Sequence, residues 1–386
     1  MKMNNKLDYS SHFGLYIHIP FCEKKCNYCD FYSITSSEND IDKFIKALTK
    51  EIEIYANNLS NKNVKTVYFG GGTPSILSSK QLDTIFSSLN KYFNINNNIE
   101  ISIEANPETL TSDKLKLYKK IGINRLSLGV QSFLDSELNF LGRIHDSKRS
   151  QKVIKEIKNH FDNFSLDLMF ALPEQSLADF KYSLNKALEY EPNHISLYNL
   201  QIEPQTNLYS RLNRGEFKEI DEETDYKMYN LAVERLKSSG YRHYEISNFA
   251  QKGYKSRHNI IYWKYKPYLG LGPSAHGFNG SKRYYNYNDL NKYINRLNND
   301  KTPIKEIVDL EKEDLISEMM FMGLRLIKGV DKQDFKNRFD ISIHEVYKEV
   351  INNLKDKELL KEDSENIYLT KKGLNLGNVS FAEFLL

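Results

Sequence analysis

The sequence carries no surplus of either charge, no long apolar run and almost no cysteine. Its 54 Lys+Arg and 51 Asp+Glu are mixed along the chain for a formal net charge of +3. No sequence-wide basic field therefore marks nucleic acid as a partner, and the scattered lysines read as solvated surface. No run approaches the ~18 apolar residues of a spanning helix. The polar start, residues 1–11, has no apolar h-region, so neither signal nor transit peptide is expected and the protein is expected in the cytoplasm. Three cysteines are an odd number and do not make a disulfide framework. Apolar residues are not scarce. At 386 residues and 40% hydrophobic content the chain can bury a large core, and its length suits one large domain with a smaller one.

The few cysteines are concentrated. All three lie in Tyr16-Ile-His-Ile-Pro-Phe-Cys22-Glu-Lys-Lys-Cys26-Asn-Tyr-Cys29-Asp30-Phe31, on the loop after a strand-like run, residues 14–19. Such a claw can close on one metal centre. A closed zinc site wants four protein ligands and an ordinary electron-transfer cubane wants four cysteines, so three thiolates leave one coordination position open. A Cys3His zinc site that borrows His18 is the alternative, and it needs that side chain to fold back onto the same metal.

The Cys-x3-Cys-x2-Cys spacing with its aromatic flank resembles the cluster loop of the radical S-adenosylmethionine (SAM) superfamily. The wider stretch, Tyr-Ile-His-Ile-Pro-Phe-Cys-x3-Cys-x-Tyr-Cys-Asp-Phe, resembles the HemN/HemW group within it. The resemblance implies that Cys22, Cys26 and Cys29 hold three irons of a [4Fe-4S] cluster and that SAM chelates the fourth.

Downstream, strand and helix signals alternate. Strands are expected over residues 64–69, 99–105, 125–130, 164–170 and 195–200. Helices are expected over 41–58, with Asp40 as a cap, and over 79–92, 112–121, 147–160, 177–190 and 226–239. Such alternation demands parallel strands with right-handed crossovers, in an open doubly wound sheet or a barrel. Cys22, Gly72, Glu104, Gln131 and Asp167 fall at or near successive strand ends, which converge on one mouth in a barrel. The resemblance favours a partial (β/α)6 TIM-like barrel of radical SAM type, open at one side.

Gly70-Gly71-Gly72-Thr73-Pro74 has more glycine than a strand-to-helix turn needs, as where backbone amides approach a ligand. Glu104 is a carboxylate ending an apolar strand, and unpaired it would be costly. Gln131 ends Leu-Ser-Leu-Gly-Val-Gln, and Arg143 offers a guanidinium that can bind two carboxylate oxygens at once. Asp167 is a charge within a strand. Structural salt bridges or core packing are the bland alternatives for each. By the resemblance, Tyr16, Tyr28, Gly71, Gly72, Thr73, Glu104, Gln131, Arg143 and Asp167 contact SAM, while Pro173-Glu174-Gln175 matches a family turn and shapes a loop.

The second half changes texture. Ser256-Arg-His258-Asn259-Ile-Ile-Tyr262-Trp263 puts His258 and Tyr262 on one helical face, and both imidazole and phenolate can ligate haem iron. A satisfied interface histidine is the alternative reading. The His-Asn-x-x-Tyr-Trp and Gly-x-Gly-x-x-Ala-His-Gly segments resemble features of the group, and by that resemblance the His-Asn-x-x-Tyr segment is associated with haem binding. The expected division is a SAM core over 1–240, a connecting segment over 241–302 and a smaller, mainly helical, winged-helix-like domain over 303–386, with helices near 311–322, 332–339 and 343–355.

The resemblance implies a haem chaperone, carrying a SAM-ligated cluster and passing haem to acceptors such as respiratory, membrane-associated cytochromes, with a dimer left open. The alternative is an oxygen-independent coproporphyrinogen III dehydrogenase, a radical enzyme of haem biosynthesis. The dehydrogenase pattern has a further cysteine after the third ligand and a longer arm before the claw. Here Asp30-Phe31 follows Cys29 and 21 residues precede Cys22, which favours the chaperone and assigns no catalytic residue.

Overall fold

The computed structural model describes residue 9 and residues 12–35, 37–96 and 98–386. The polar start read above lies outside the described residues except for Tyr9. Six strands follow one another in space as in sequence: β1 (Phe13–Ile19), β2 (Val64–Gly71), β3 (Glu100–Ala105), β4 (Arg125–Gln131), β5 (Phe164–Phe170) and β6 (His194–Asn199), each parallel to the last. The order never reverses, so the right-handed crossovers carry all the connecting helices to one face. That is the neighbour order of a barrel, without the switch point of a doubly wound sheet.

The sheet continues beyond the six. After β7 (Arg242–Glu245) and β8 (Asn248–Ala250), which add antiparallel to the β6 edge, β9 (Tyr268–Leu271) returns to pair parallel with β1. Sequence periodicity did not reveal this seventh parallel strand, because four residues containing a glycine carry too little pattern. Gly270 is required there: a Cβ would lie 1.8 Å from the carbonyl oxygen of His276. Antiparallel β10 (His276–Phe278), β11 (Lys282–Asn286) and β12 (Ile304–Asp309) then extend this edge, so the arc stays open.

Parallel strands covered on both faces usually read as continuous apolar runs. Here they alternate. On β4, Leu126, Leu128 and Val130 pack into the main core, while Arg125, Ser127, Gly129 and Gln131 face a cavity; on β5 and β6 the same division separates Leu166, Leu168, Ile195 and Leu197 from Asp167, Ser196 and Tyr198. A strand places successive side chains on opposite faces, so one polar face along several strands means a lined chamber.

The helix Glu38–Asn58 begins earlier than expected, and its cap is Ser37, not Asp40: Ser37 Oγ accepts from the Asp40 N–H, and Asp40 receives the Ser37 hydroxyl in return at 2.8 Å. Buried Glu51 on this helix accepts from Gly272 N (2.8 Å), Asn286 Nδ2 (2.7 Å) and Tyr293 Oη (2.6 Å), stapling it to the second-half strands.

A second core lies around β13 (Val330–Asp331), β14 (Leu360–Glu362) and β15 (Asn366–Leu369), antiparallel in the order 13-15-14, with the helices Lys312–Gly323, Lys332–Phe339 and Ile343–Asp356. This is the smaller, winged-helix-like unit. Tyr265 and Phe278 from the connecting segment pack into it, and Arg338 donates to the carbonyls of Tyr265 (2.7 Å) and Gly280 (3.0 Å). No helix among the described residues is long and apolar enough to cross a membrane.

Candidate functional site

The cysteine loop is held by its backbone. Cys22 N donates to Ile34 O (3.0 Å), Asn27 N to Leu141 O (2.9 Å), and Leu208 N to Asn27 O (2.9 Å). The glycine loop after β2 docks directly against it, with Gly72 N donating to Ile19 O (2.8 Å) and Thr73 N to Phe21 O (2.7 Å). A Cβ on Gly72 would lie 2.7 Å from Phe21 O, and Gly71 adopts φ +110°, so both positions demand glycine for approach and conformation.

Side chains complete the contact between the loops. Thr73 donates its hydroxyl to Cys22 Sγ (3.3 Å) and accepts from Asn106 Nδ2 (3.0 Å); Arg143 donates through Nη1 to Cys26 Sγ (3.3 Å) and through Nη2 to Asn106 Oδ1 (2.6 Å) and Gly129 O (3.0 Å). The buried Nε of Arg143 has no partner. One polar chain thus runs from thiol to thiol.

All three cysteines and eight of the nine residues expected to contact SAM line one cavity of about 450 Å³: Tyr28, Gly71, Gly72, Thr73, Glu104, Gln131, Arg143 and Asp167. The exception is Tyr16, whose ring stacks on Tyr68 and whose hydroxyl meets His18 Nδ1 at 3.0 Å. Asp167 is not at a strand end; it is the fourth residue of β5, where its carboxylate accepts from Ser127 (3.0 Å) and Ser165 (3.2 Å). Glu104 accepts from Tyr68 Oη (2.7 Å) and Gly71 N (3.3 Å). The chamber also contains Tyr68, Asn106, Arg125, Ser127, Ser196 and Tyr198, none singled out from sequence, and Asn259 of the His-Asn-x-x-Tyr-Trp segment. Counting back in steps of two from Gln131 would have found Ser127 and Arg125, since alternate residues share a strand face.

Burial governs the charges. It pushes Glu104 up to about 7, against a hydrogen bond from Tyr68, and raises Asp167. It also raises Cys22, and pushes Cys29 up to about 11. Protein surroundings therefore hold these two sulfurs as thiols, and a metal centre would replace their protons.

The chamber fits the groups expected in it. Its volume suits a small organic ligand. The donor set is three thiols and no fourth. His18 does not extend it to a Cys3His set, because its Nε2 meets Tyr32 O at 2.8 Å while its Nδ1 meets Tyr16.

His258 and Tyr262 do share a face of the helix Arg257–Trp263, but outside that lining. His258 is fully buried, with Nδ1 on Thr66 Oγ1 (2.7 Å), Nε2 on Tyr262 Oη (2.7 Å) and its ring stacked on Tyr68. The N–H groups of Arg257 and His258 donate to Glu100 at 3.0 and 3.1 Å. This short helix plugs the barrel, and both imidazole nitrogens are engaged; iron ligation would require one of those bonds to break. His258→Ala is expected to lower stability by about 2–4 kcal/mol through the cavity and the unpaired Thr66 and Tyr262 hydroxyls, measured by urea unfolding. Unchanged stability with weakened haem binding would assign the histidine to iron instead.

The chain matches the radical SAM superfamily over residues 16–187 and the HemN C-terminal domain over residues 310–376. It is 37% identical over 374 residues to the heme chaperone HemW of Bacillus subtilis, spanning 96% of this chain and 98% of that one. Identity to the heme chaperone HemW of Lactococcus lactis is 36% over 372 residues, 96% and 97% of the two chains. Among solved structures, coproporphyrinogen III oxidase (HemN) from Escherichia coli superposes with a TM-score of 0.85 at 23% identity, covering 98% of this chain and 91% of that one, which establishes a shared fold.

Proposed function

The chain belongs to the HemW family of the radical SAM superfamily, and on that premise we propose that it is a heme chaperone that binds haem, carries a SAM-ligated [4Fe-4S] cluster and delivers haem to acceptor haemoproteins such as respiratory cytochromes. The observation that carries this reading is the meeting of three thiols, the Gly71-Gly72-Thr73 loop and the Arg143–Asn106–Thr73 chain at one cavity mouth.

In this reading Cys22, Cys26 and Cys29 hold three irons, and the cluster supplies, when bound, an iron with a free coordination position and an electron. Thr73 and Arg143 already donate to Cys22 and Cys26, so they temper the negative charge of the thiolates as well as orient them. The carbonyls of the glycine loop and the Glu104 carboxylate receive the SAM amino end, with Gln131, Asp167 and Tyr28 around the rest. Arg143 keeps its unpartnered Nε for the SAM carboxylate.

The test is anaerobic. Cluster-reconstituted protein is given SAM, a reductant and coproporphyrinogen III, and separately haem and an apo-cytochrome. Haem bound and passed on, with coproporphyrinogen unchanged by mass spectrometry, is the expected result. Product lacking two carboxyl groups would establish the dehydrogenase and overturn the chaperone.

A further inference from the structure

Arg125, the first residue of β4, is 2% exposed and stands first by volume among the fully buried side chains. A buried guanidinium is normally paired, since an unpaired charge removed from water costs several kcal/mol. Among the described residues no carboxylate forms an ion pair with Arg125, and its Nε has no hydrogen-bond partner.

The three carboxylates that attract it through space are committed elsewhere. Glu100 accepts from the N–H groups of Arg257 and His258, Glu104 from Tyr68 and Gly71, and Asp167 from Ser127 and Ser165. The other titratable neighbours supply no negative charge: burial, then Arg125 itself, keeps His194 and His258 neutral, and burial keeps Tyr68 and Tyr244 protonated. The guanidinium lines the central cavity together with Ser127, Ser196 and Asn259.

Its position separates it from the cysteines. Arg125 opens β4 and Gln131 closes it at the mouth, six residues and roughly 20 Å of strand apart. We propose that the cavity floor at Arg125 is a carboxylate subsite, taking the acid group of a second ligand that enters beyond the cluster and SAM. A carboxylate would fork onto the guanidinium and supply the contacting partner that Arg125 lacks. SAM and a porphyrin both carry carboxylates. Resting on the reading above, SAM places its own at the mouth, so the floor receives a side-chain acid of the propionate type from the other ligand.

The experiment uses cluster-reconstituted full-length protein with SAM bound. Sodium propionate, against sodium chloride at equal ionic strength, is expected to raise the wild-type Tm by ~2–4 °C at saturation and that of Arg125→Met not at all. Without propionate, Arg125→Met should stay folded with at most a modest loss of stability, since no carboxylate in contact loses its partner and Glu100 and Asp167 attract the guanidinium only through space. An equal response of both proteins, no response of wild type, or severe destabilisation of the variant would overturn the subsite, the last by making Arg125 a structural partner of Glu100 and Asp167. A propionate response present only without SAM would make SAM the occupant and overturn the second ligand.

A second comparison needs no variant. Haem is expected to bind wild type at least tenfold more tightly than haem dimethyl ester, whose carboxyl groups are blocked, and equal affinities would overturn the subsite while leaving the chaperone reading intact. Absence of haem binding with the propionate response retained would do the reverse.

Discussion

Cys26→Ser is expected to yield a folded protein whose iron and sulfide content after anaerobic reconstitution falls to background, with SAM retention lost alongside. Three thiols are the whole sulfur supply of the chain, so no spare cysteine can substitute, and an alkoxide is a poor replacement for a thiolate on iron. The fold should survive because the loop is held by backbone hydrogen bonds, such as Asn27 N to Leu141 O and Cys22 N to Ile34 O, and because Cys26 lies outside the hydrophobic core. Its Sγ accepts one bond from Arg143 Nη1 at 3.3 Å, which a serine hydroxyl can also accept. A change in unfolding free energy of less than about 1 kcal/mol is the expected cost. Iron, sulfide and visible absorbance measure the cluster, and circular dichroism with urea unfolding measures the fold. Full iron content in the variant would remove Cys26 from the ligand set; a single zinc bound per wild-type chain would replace the cluster with a mononuclear site.

The second large effect concerns stability. Glu51→Ala is expected to cost about 3–5 kcal/mol, because it strands the Gly272 N–H, one hydrogen of the Asn286 amide and the Tyr293 hydroxyl in a buried pocket. Burial pushes the Glu51 carboxyl up to about 7, above its ordinary 4.5, against the hydrogen bonds from Tyr293, Gly272 and Asn286. The folded protein therefore holds a proton that the unfolded chain has released between those pH values. This contribution is fully present below pH 4.5 and is lost as pH rises through about 7, at roughly 1.4 kcal/mol per pH unit and on the order of 3 kcal/mol in total.

Glu104 and Glu245, also raised to about 7 by burial, act in the same direction. His18 and His243, lowered to about 4 by burial, act oppositely, their stabilising contribution being lost as pH falls from 6.5 towards 4. The contribution of Glu51 is isolated by difference: wild type should lose stability relative to Glu51→Gln between pH 5 and pH 8 in urea titrations. Parallel pH profiles for the two proteins would show that Glu51 does not carry its proton.

Much of the candidate site was legible because it is local in sequence. The cysteine spacing, the glycine run and each polar strand end can be read without knowing what packs on what, and the strand and helix periods that deliver them to one mouth are written in alternating residues. Tyr16 lies outside the cavity lining, its ring stacked on Tyr68, because strand position says which face a side chain takes and not which neighbouring ring stands beside it. Arg125 and Asn106 passed unnoticed because their meaning is relational: one is a charge left without a contacting carboxylate, the other a bridge between Arg143 and Thr73.

The chain's own residue order was sufficient for the metal-loop chemistry, the parallel strand sequence and the absence of a fourth thiol, since each depends on neighbours along the backbone. Packing alone decided the rest. It brought β9 back beside β1 from more than two hundred residues away, and at Gly270 set that strand against the His276 backbone. It also set His258 between Thr66 and Tyr262, so that both ring nitrogens of a residue with the chemistry of an iron ligand have hydrogen-bond partners. Spacing can propose a ligand, but only the three-dimensional partners of its donor atoms determine whether those atoms are free.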